Sequence, residues 1–262
     1  MKNIGLINAS INDYKVLITG GGSGIGYATS ILFLKMGASV CINYLPKDKK
    51  ASKQIKDLKN KYESVFDLPG DVSNEKTSIE IVNKANFLMG GINCLINSAG
   101  ISLTKDPIPF ERLDLINQNF WNKMLNVNLM SCFFCSKAAS GFLKKQGGSI
   151  VNISSITANG KRGTSIPYSS SKAALESLTV SLAKSLAPNV RVNGVSPGFT
   201  DTAMTKNRSP DHKKRMARQT LLGRIAKPEE IAETIFFLRV SGSYITGEII
   251  SVNGGNGYNY NY

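Results

Sequence analysis

The sequence predicts an α/β chain: one doubly wound, seven-stranded parallel sheet with helices on both faces, forming a single domain over residues 1–262. Three observations predict it. Short apolar runs rich in β-branched residues alternate along the whole chain with longer segments at helical spacing. Successive runs are mostly separated by a dozen or more residues, which is what a parallel crossover needs. Runs such as Ile92–Asn97 (INCLIN) and Ser149–Ser154 (SIVNIS) are apolar almost throughout, as in strands covered on both faces. No linker, repeat or low-complexity segment interrupts the pattern.

Taken in order, Lys15–Thr19 (KVLIT) reads as the first strand and Gly24–Met36 as the helix after it. Ser39–Tyr44 (SVCINY) is the second strand, followed by a Lys-rich helix over Asp48–Tyr62. Ser64–Leu68 is a weaker third strand and Asn74–Met89 its helix. Ile92–Asn97 is the fourth strand, and a long helix lies between Asn117 and Lys145. Ser149–Ser154 is the fifth strand, with a helix over Tyr168–Leu186. Val190–Val195 (VRVNGV) is the sixth. A long irregular stretch and a helix over Pro228–Arg239 precede the last strand, Glu248–Val252.

Composition narrows the function classes. With 42% hydrophobic residues in 262, the chain can bury a large core and is not of disordered type. No run of about 18 apolar residues predicts a membrane span, and the opening MKNIGLINASINDYK lacks the apolar centre of a signal peptide. Four cysteines are too few for a disulfide framework and suit a reducing, cytoplasmic setting. The net charge of +14 raises the question of an acidic partner. The bases are spread, however, with Lys47–Lys61 and Lys206–Arg218 the densest stretches, and no zinc-finger spacing or RNA-binding aromatic motif accompanies them. The expectation is a soluble protein with neither a nucleic-acid nor a membrane partner. The single histidine, His212, lies in the Lys-rich stretch, and neither a histidine metal cluster nor a Ser-His-Asp triad is expected.

The first strand runs directly into Thr19-Gly20-Gly21-Gly22-Ser23-Gly24-Ile25-Gly26. The spacing is G-x-x-x-G-x-G rather than G-x-G-x-x-G, but the physics is similar. Gly20 permits a tight turn off the strand, and Gly24 and Gly26 let a pyrophosphate approach the helix N-terminus, where free N–H groups and the helix dipole favour anions. Tyr168 and Lys172 stand four residues apart, on one face of a helix. A cation there stabilises tyrosinate and lowers the phenol's pKa from about 10.

These motifs resemble those of the short-chain dehydrogenases/reductases, and the resemblance covers nearly the whole chain. TGGGSGIG is similar to that family's T-G-x-x-x-G-I-G, and Gly70-Asp71-Val72 to its adenine-contacting pair after the third strand. Asn97-Ser98-Ala99-Gly100 resembles N-N-A-G, with Ser98 in place of Asn. Asn126-Val127-Asn128-Leu129 resembles N-V-N-L, and Tyr168-Ser169-Ser170-Ser171-Lys172 is its Y-x-x-x-K. Pro197-Gly198, the Leu222-Gly223-Arg224 and Pro228-Glu229-Glu230-Ile231 segments, and Tyr244-Ile245-Thr246-Gly247 with Val252-Asn253-Gly254-Gly255 follow in the family's order. The departures are Ser98, Asn253 in place of Asp, and Thr200 where many relatives carry an aliphatic residue.

The resemblance implies a Rossmann-type fold and hydride transfer between NAD(P)H and a carbonyl or secondary alcohol. It implies Tyr168 as general acid, Ser155 as the group that orients the carbonyl, Lys172 on the nicotinamide ribose, and Asn128 holding a water that links Lys172 to solvent. Ser154 competes with Ser155; strand alternation sends the two apart, and spacing to Tyr168 favours Ser155. The implied cofactor contacts are Gly20, Ser23, Gly24, Ile25 and Gly26 in the glycine loop, Tyr44 at the second strand's end, and Asp71 and Val72 after the third. They continue through Asn97, Ala99 and Gly100, then Tyr168 and Lys172, then Pro197, Gly198, Thr200 and Thr202. No metal is implied. An NAD enzyme usually has an acid about 20 residues past the loop, but none occurs here before Asp48. Lys47, Lys49, Lys50 and Ser23 are placed to meet a 2′-phosphate, so NADP(H) is favoured and NAD(H) remains possible.

Cys132-Phe133-Phe134-Cys135 has C-x-x-C spacing but lies inside the long helix, which predicts packed thiols rather than a redox pair. Residues 199–221 occupy the place of the family's substrate lid. Their bases Lys213, Lys214, Arg215 and Arg218 are open to two readings, a wet helix face or attraction for a phosphorylated or carrier-bound substrate. The tail over 256–262 is either loose or docked on a neighbouring subunit. The family implies a homotetramer or a dimer. The pattern is most similar to 3-oxoacyl-[acyl-carrier-protein] reductases, acting on a small-molecule or carrier-bound carbonyl. Sugar or polyol dehydrogenases share the motifs, and a non-catalytic dinucleotide-binding sensor or scaffold is the reading outside the enzyme class.

Overall fold

The structure, a computed structural model, describes residues 13–104, 106–160 and 163–257. The strands are β1 Lys15–Thr19, β2 Ser39–Tyr44, β3 Val65–Pro69, β4 Cys94–Asn97, β5 Ser149–Ile153, β6 Arg191–Pro197 and β7 Ile249–Val252. The helices are α1 Gly24–Lys35, α2 Lys49–Lys61, α3 Glu75–Met89, α4 Gln118–Leu125, α5 Ser131–Lys145, α6 Ile166–Leu186, α7 Pro210–Arg218 and α8 Pro228–Val240. All seven strands pair in parallel, in the order β3-β2-β1-β4-β5-β6-β7. The chain starts in the middle, winds outward to β3, returns across β1 to β4 and winds the other way. The reversal lies between β1 and β4, where a doubly wound sheet opens a crevice at its C-terminal edge.

Strand alternation divides the core into two layers. Val16, Ile18, Val40, Ile42 and Ile96 face α1, α2 and α8, with Phe33, Ile55 and Ile235 among their neighbours. Leu17, Cys41, Leu95 and Ile150 face α3, α5 and α6, where Val82, Leu143 and Leu186 meet them. Each fully buried side chain of this size contributes about 1.5–3 kcal/mol.

The sheet's centre also carries a polar chain. Asn97 donates to Asn152 Oδ1 at 2.8 Å, Asn152 to Thr179 Oγ1 at 2.9 Å, and Thr179 to the Leu175 carbonyl at 2.7 Å. This joins β4, β5 and α6 beneath the crevice. Asn152→Ala removes one hydrogen bond from each neighbour in a dry interior, which costs about 1–3 kcal/mol. Urea unfolding measures it, and a change below about 0.5 kcal/mol contradicts the account.

Most elements match the sequence pattern to within two residues. Three features differ. The long helix of 117–145 forms but is interrupted by a π-helical turn at Asn126–Met130. The fourth strand begins at Cys94 rather than Ile92, because Asn93 turns its side chain to bond the Lys15 N–H and the Asp13 carbonyl. The stretch before α8 is not wholly irregular: Ser209 caps α7 by accepting from the His212 N–H, and Pro210 begins it. No helix among the described residues is long and apolar enough to cross a membrane. The opening residues 1–12, and 258–262 of the tail, lie outside the described residues.

Candidate active site

The loops at the C-terminal edge of β1, β4, β5 and β6 enclose a cleft of about 1110 Å3. Its floor is the glycine turn. Gly20 has φ +62°, and a Cβ there would sit 2.7 Å from Ala99 Cα. Glycine is therefore needed both for the turn and for the contact with the loop after β4. Thr19 fastens that contact, its hydroxyl accepting from the N–H groups of Ser98 and Ala99 at 3.2 and 3.3 Å. Gly24, with φ +52°, lines the cleft beneath Thr202.

Gly26 has a different reason from the one the spacing gave. A Cβ on Gly26 would run into the Gly20 carbonyl oxygen. The residue is buried, so it lets α1 pack onto the turn rather than making room for a ligand. Gly22 packs likewise against Ala51 and Tyr44. Ser23 stands at the N-cap of α1 but makes no capping hydrogen bond. Its exposed hydroxyl lines the cleft.

The opposite wall comes from β5 and α6. Ser165 caps α6 by accepting from the Tyr168 N–H, so Tyr168 sits in the first turn, not at the helix start. Lys172 follows one turn later, 5% exposed. Its ammonium donates to the Ile153 carbonyl at 2.7 Å, leaving capacity for two further hydrogen bonds. The serines part as alternation requires. Ser154 turns to α6, donating to Glu176 at 2.8 Å, and burial raises the Glu176 carboxyl's pKa. Ser155 accepts from the Thr157 N–H and hydroxyl at 3.3 and 3.1 Å, and it is hydrogen-bonded to Tyr168.

The electrostatics correct one expectation. Burial lifts the Tyr168 pKa above 10, and the bond to Ser155 only partly offsets this. Lys172 does not pull it down. The lysine is itself pushed below 10.5 by desolvation. The phenol therefore carries its proton at neutral pH.

Asn128 is wholly buried, and its amide clamps one residue of the loop after β4. Its Oδ1 accepts from the Ile101 N–H at 2.8 Å, and its Nδ2 donates to the Ile101 carbonyl at 3.0 Å and to Ser171 at 3.1 Å. The side chain is thus committed to the Ile101 backbone and to Ser171. The cleft gathers Gly20, Ser23, Gly24, Ile25, Ala99, Gly100, Ser155, Tyr168, Lys172, Pro197, Gly198, Thr200 and Thr202. It does not gather the side chains of Asn97, spent in the polar chain, or Val72, packed in the core against α3. Tyr44 is buried against Gly22, and Asp71 accepts from the Ser73 N–H at the far end of the crevice. The Thr200 hydroxyl turns back onto the Gly198 carbonyl at 3.0 Å.

Two positioning residues escaped the sequence. Asn43, at the end of β2, bonds the Leu68 and Gly70 carbonyls at 2.9 and 3.0 Å and reaches the Gly20 N–H, tying three loops together. Arg208 lines the cleft from the loop before α7. A polar residue inside a strand and an arginine in a basic stretch carry no local signal of such roles. Cys132 and Cys135 are buried, and desolvation pushes the Cys135 thiol up to about 12.

The residues fit a dinucleotide. The turn brings backbone N–H groups and an uncapped helix N-terminus to the cleft floor, and the Gly24 position leaves that floor open. Comparison with known proteins agrees. The family model described as enoyl-(acyl carrier protein) reductase matches residues 20–257. A 3-oxoacyl-[acyl-carrier-protein] reductase of Thermotoga maritima is 36% identical over 242 residues, covering 91% of this chain and 96% of that protein. An L-rhamnose-1-dehydrogenase of Scheffersomyces stipitis is 34% identical over 260 residues, covering 96% and 97%. The crystal structure of a short-chain dehydrogenase from Burkholderia cenocepacia J2315 in complex with NADP superposes with a TM-score of 0.86 at 27% identity, covering 95% of this chain and 99% of that one.

Proposed function

Because the chain belongs to the short-chain dehydrogenase/reductase family, we propose that it is an NADP(H)-dependent ketoreductase of the 3-oxoacyl thioester type. The observation that carries this reading is the convergence of Ser155, Tyr168 and Lys172 on one cleft whose floor is the glycine turn. The bound nicotinamide supplies or accepts the hydride at the carbonyl carbon. Tyr168 holds its proton at Oη and passes it to the carbonyl oxygen. Ser155, fixed by Thr157, donates to the same oxygen and orients the carbonyl. Lys172, anchored on Ile153, turns its remaining hydrogens to the ribose, and Asn128 keeps the Ile101 loop in place. The non-catalytic reading loses weight because none of these side chains is missing.

The NADP preference rests on the end of β2. Asn43 is spent on backbone, Tyr44 is buried, and Asp48 is committed to capping α2 through the Ala51 N–H at 2.9 Å. The nearby carboxylate thus has one oxygen engaged as the α2 cap, while Lys47, Lys49 and Lys50 are exposed around it and suited to a 2′-phosphate. The test follows nicotinamide absorbance at 340 nm with acetoacetyl thioesters, diketones and keto sugars. The expected result is a kcat/KM for NADPH about tenfold or more above that for NADH; equal values refute the preference. Faster turnover of keto sugars than thioesters would favour a sugar dehydrogenase, the activity named for the Scheffersomyces relative.

The raised Tyr168 pKa gives a pH dependence. Reduction uses the protonated phenol, which persists through neutral pH and is lost only above 10. Alcohol oxidation uses the tyrosinate, so its rate climbs as pH rises from 7 towards 10 while reduction does not. Profiles in both directions check this, and a flat oxidation profile contradicts it.

A cytoplasmic location is in keeping with four buried, unbridged cysteines. A homotetramer or dimer is in keeping with exposed Leu221, Leu222, Phe237 and Tyr244. Light scattering on the purified chain tests the assembly.

A further inference from the structure

The lid side of the cleft is lined by basic side chains. Arg208, His212, Arg215 and Arg218 line it, and no described Asp or Glu does. Arg208 is the most telling. Its side chain is 4% exposed, yet its guanidinium reaches one carboxylate only, Asp106, at 3.5 Å, and that carboxylate is 77% exposed. Among the described residues that is one long contact to a solvated acid, for a guanidinium that carries five donor hydrogens. A buried charge in that condition is costly unless something else completes it.

The surroundings sharpen the point. His212 stacks at 5.4 Å on Phe199, and its Nδ1 lies 3.0 Å from Arg215 Nη2. A neutral imidazole there accepts from Arg215 and holds it over the cleft. The imidazole is held below 6.5 by burial and by Arg215 and Arg208, with Asp106 opposing, so the net field at this wall is positive. The neighbouring lysines are employed elsewhere: Lys213 pairs with Asp201 at 3.0 Å, and Lys214 is exposed and outside the cleft lining. The basic stretch thus divides into a solvated face and a cleft face.

We propose that Arg208 and Arg215 form a recognition site for an oxyanion, phosphate or carboxylate, carried by the substrate at a distance from its reacting carbonyl. The proposal rests on the ketoreductase reading and adds a substrate class to it. The carbonyl lies at Ser155 and Tyr168, and the anionic end lies under α7. Binding gives Arg208 a second anionic partner beside Asp106. Neutral ketones of the same size forgo this interaction and are poor substrates.

Two measurements test it. The first compares kcat/KM for matched pairs that differ in charge: acetoacetyl-S-pantetheine against its 4′-phosphate, and methyl levulinate against levulinate. The wild type is expected to prefer a charged member by about tenfold or more, the scale of a charge-assisted hydrogen bond. The pair that shows the preference identifies phosphate or carboxylate as the source. Arg208→Gln erases the preference, the charged member losing about tenfold more than the neutral one. Arg215→Gln reduces the preference, and Lys214→Gln does not alter it. Equal turnover of charged and neutral members by the wild type overturns the proposal, as does equal loss on both in Arg208→Gln and Arg215→Gln.

The second measurement needs no turnover. The chain's one histidine is followed by proton NMR while sulfate, doubly charged across the range, is added. Sulfate is expected to raise the His212 pKa in the wild type and to leave it unmoved in Arg208→Gln. An unmoved wild-type pKa refutes the site. If no ketone is reduced but sulfate moves His212, the ketoreductase reading fails and the oxyanion site stands.

Discussion

Replacement of Tyr168 by Phe is expected to lower kcat by about 10^2–10^4-fold, the usual weight of a positioned general acid. The phenol is the one described group in the cleft that holds a transferable proton beside Ser155. Lys172 is anchored on the Ile153 carbonyl, and Ser155, which accepts from Thr157, keeps its hydroxyl hydrogen to orient the carbonyl oxygen. Phe preserves the ring's packing against the first turn of α6, so the fold and NADPH binding should persist. The check pairs single-turnover absorbance at 340 nm with NADPH titration by fluorescence. A variant that binds NADPH normally and reduces ketones at the wild-type rate removes Tyr168 from the chemistry. One that fails to bind at all shows that the hydroxyl, and not the ring alone, is needed to hold the cofactor.

The second large effect is expected at Gly26. Gly26→Ala drives a methyl into the Gly20 carbonyl. That oxygen belongs to the turn's backbone and cannot rotate aside, so α1 must move away from the turn. Overpacking of this kind costs about 1–3 kcal/mol of stability. It also displaces the helix N-terminus whose N–H groups face the cleft, so the NADPH Kd should rise by more than about tenfold. At Gly24 the same methyl meets only the Thr202 side chain at 3.3 Å, which leaves the positive φ as the main cost. Calorimetry and thermal unfolding on both variants separate the two. Unchanged NADPH affinity in Gly26→Ala contradicts the packing account.

What the sequence alone determined is what local rules determine. Runs such as KVLIT and SIVNIS announce strands through β-branching, crossovers of a dozen or more residues force parallel pairing, and Tyr168 and Lys172 share a face by helical period. Hence the sheet and the glycine turn were legible with boundaries nearly right, and the three residues proposed for catalysis, with Ser155 named through the family resemblance, line one cleft. Tertiary structure decided matters that depend on which distant atoms arrive at a side chain. Asn97 read as a ligand contact and Asn128 as a water contact; the fold bonds the Asn97 Nδ2 to Asn152 and the Asn128 amide to Ile101, partners 55 and 27 residues away. Gly26 read as a ligand clearance, yet the nearest atom is the Gly20 carbonyl brought back by the turn. Lys172 read as the cation that acidifies Tyr168, yet desolvation of both groups outweighs it. In the basic stretch before α8 the sequence shows only charge, while the fold sends Lys213 to Asp201 and Arg208 into the cleft. Periodicity assigns a residue to a face, but the energy of a polar group depends on the burial and partners it meets there, and those are set by chain segments remote in sequence.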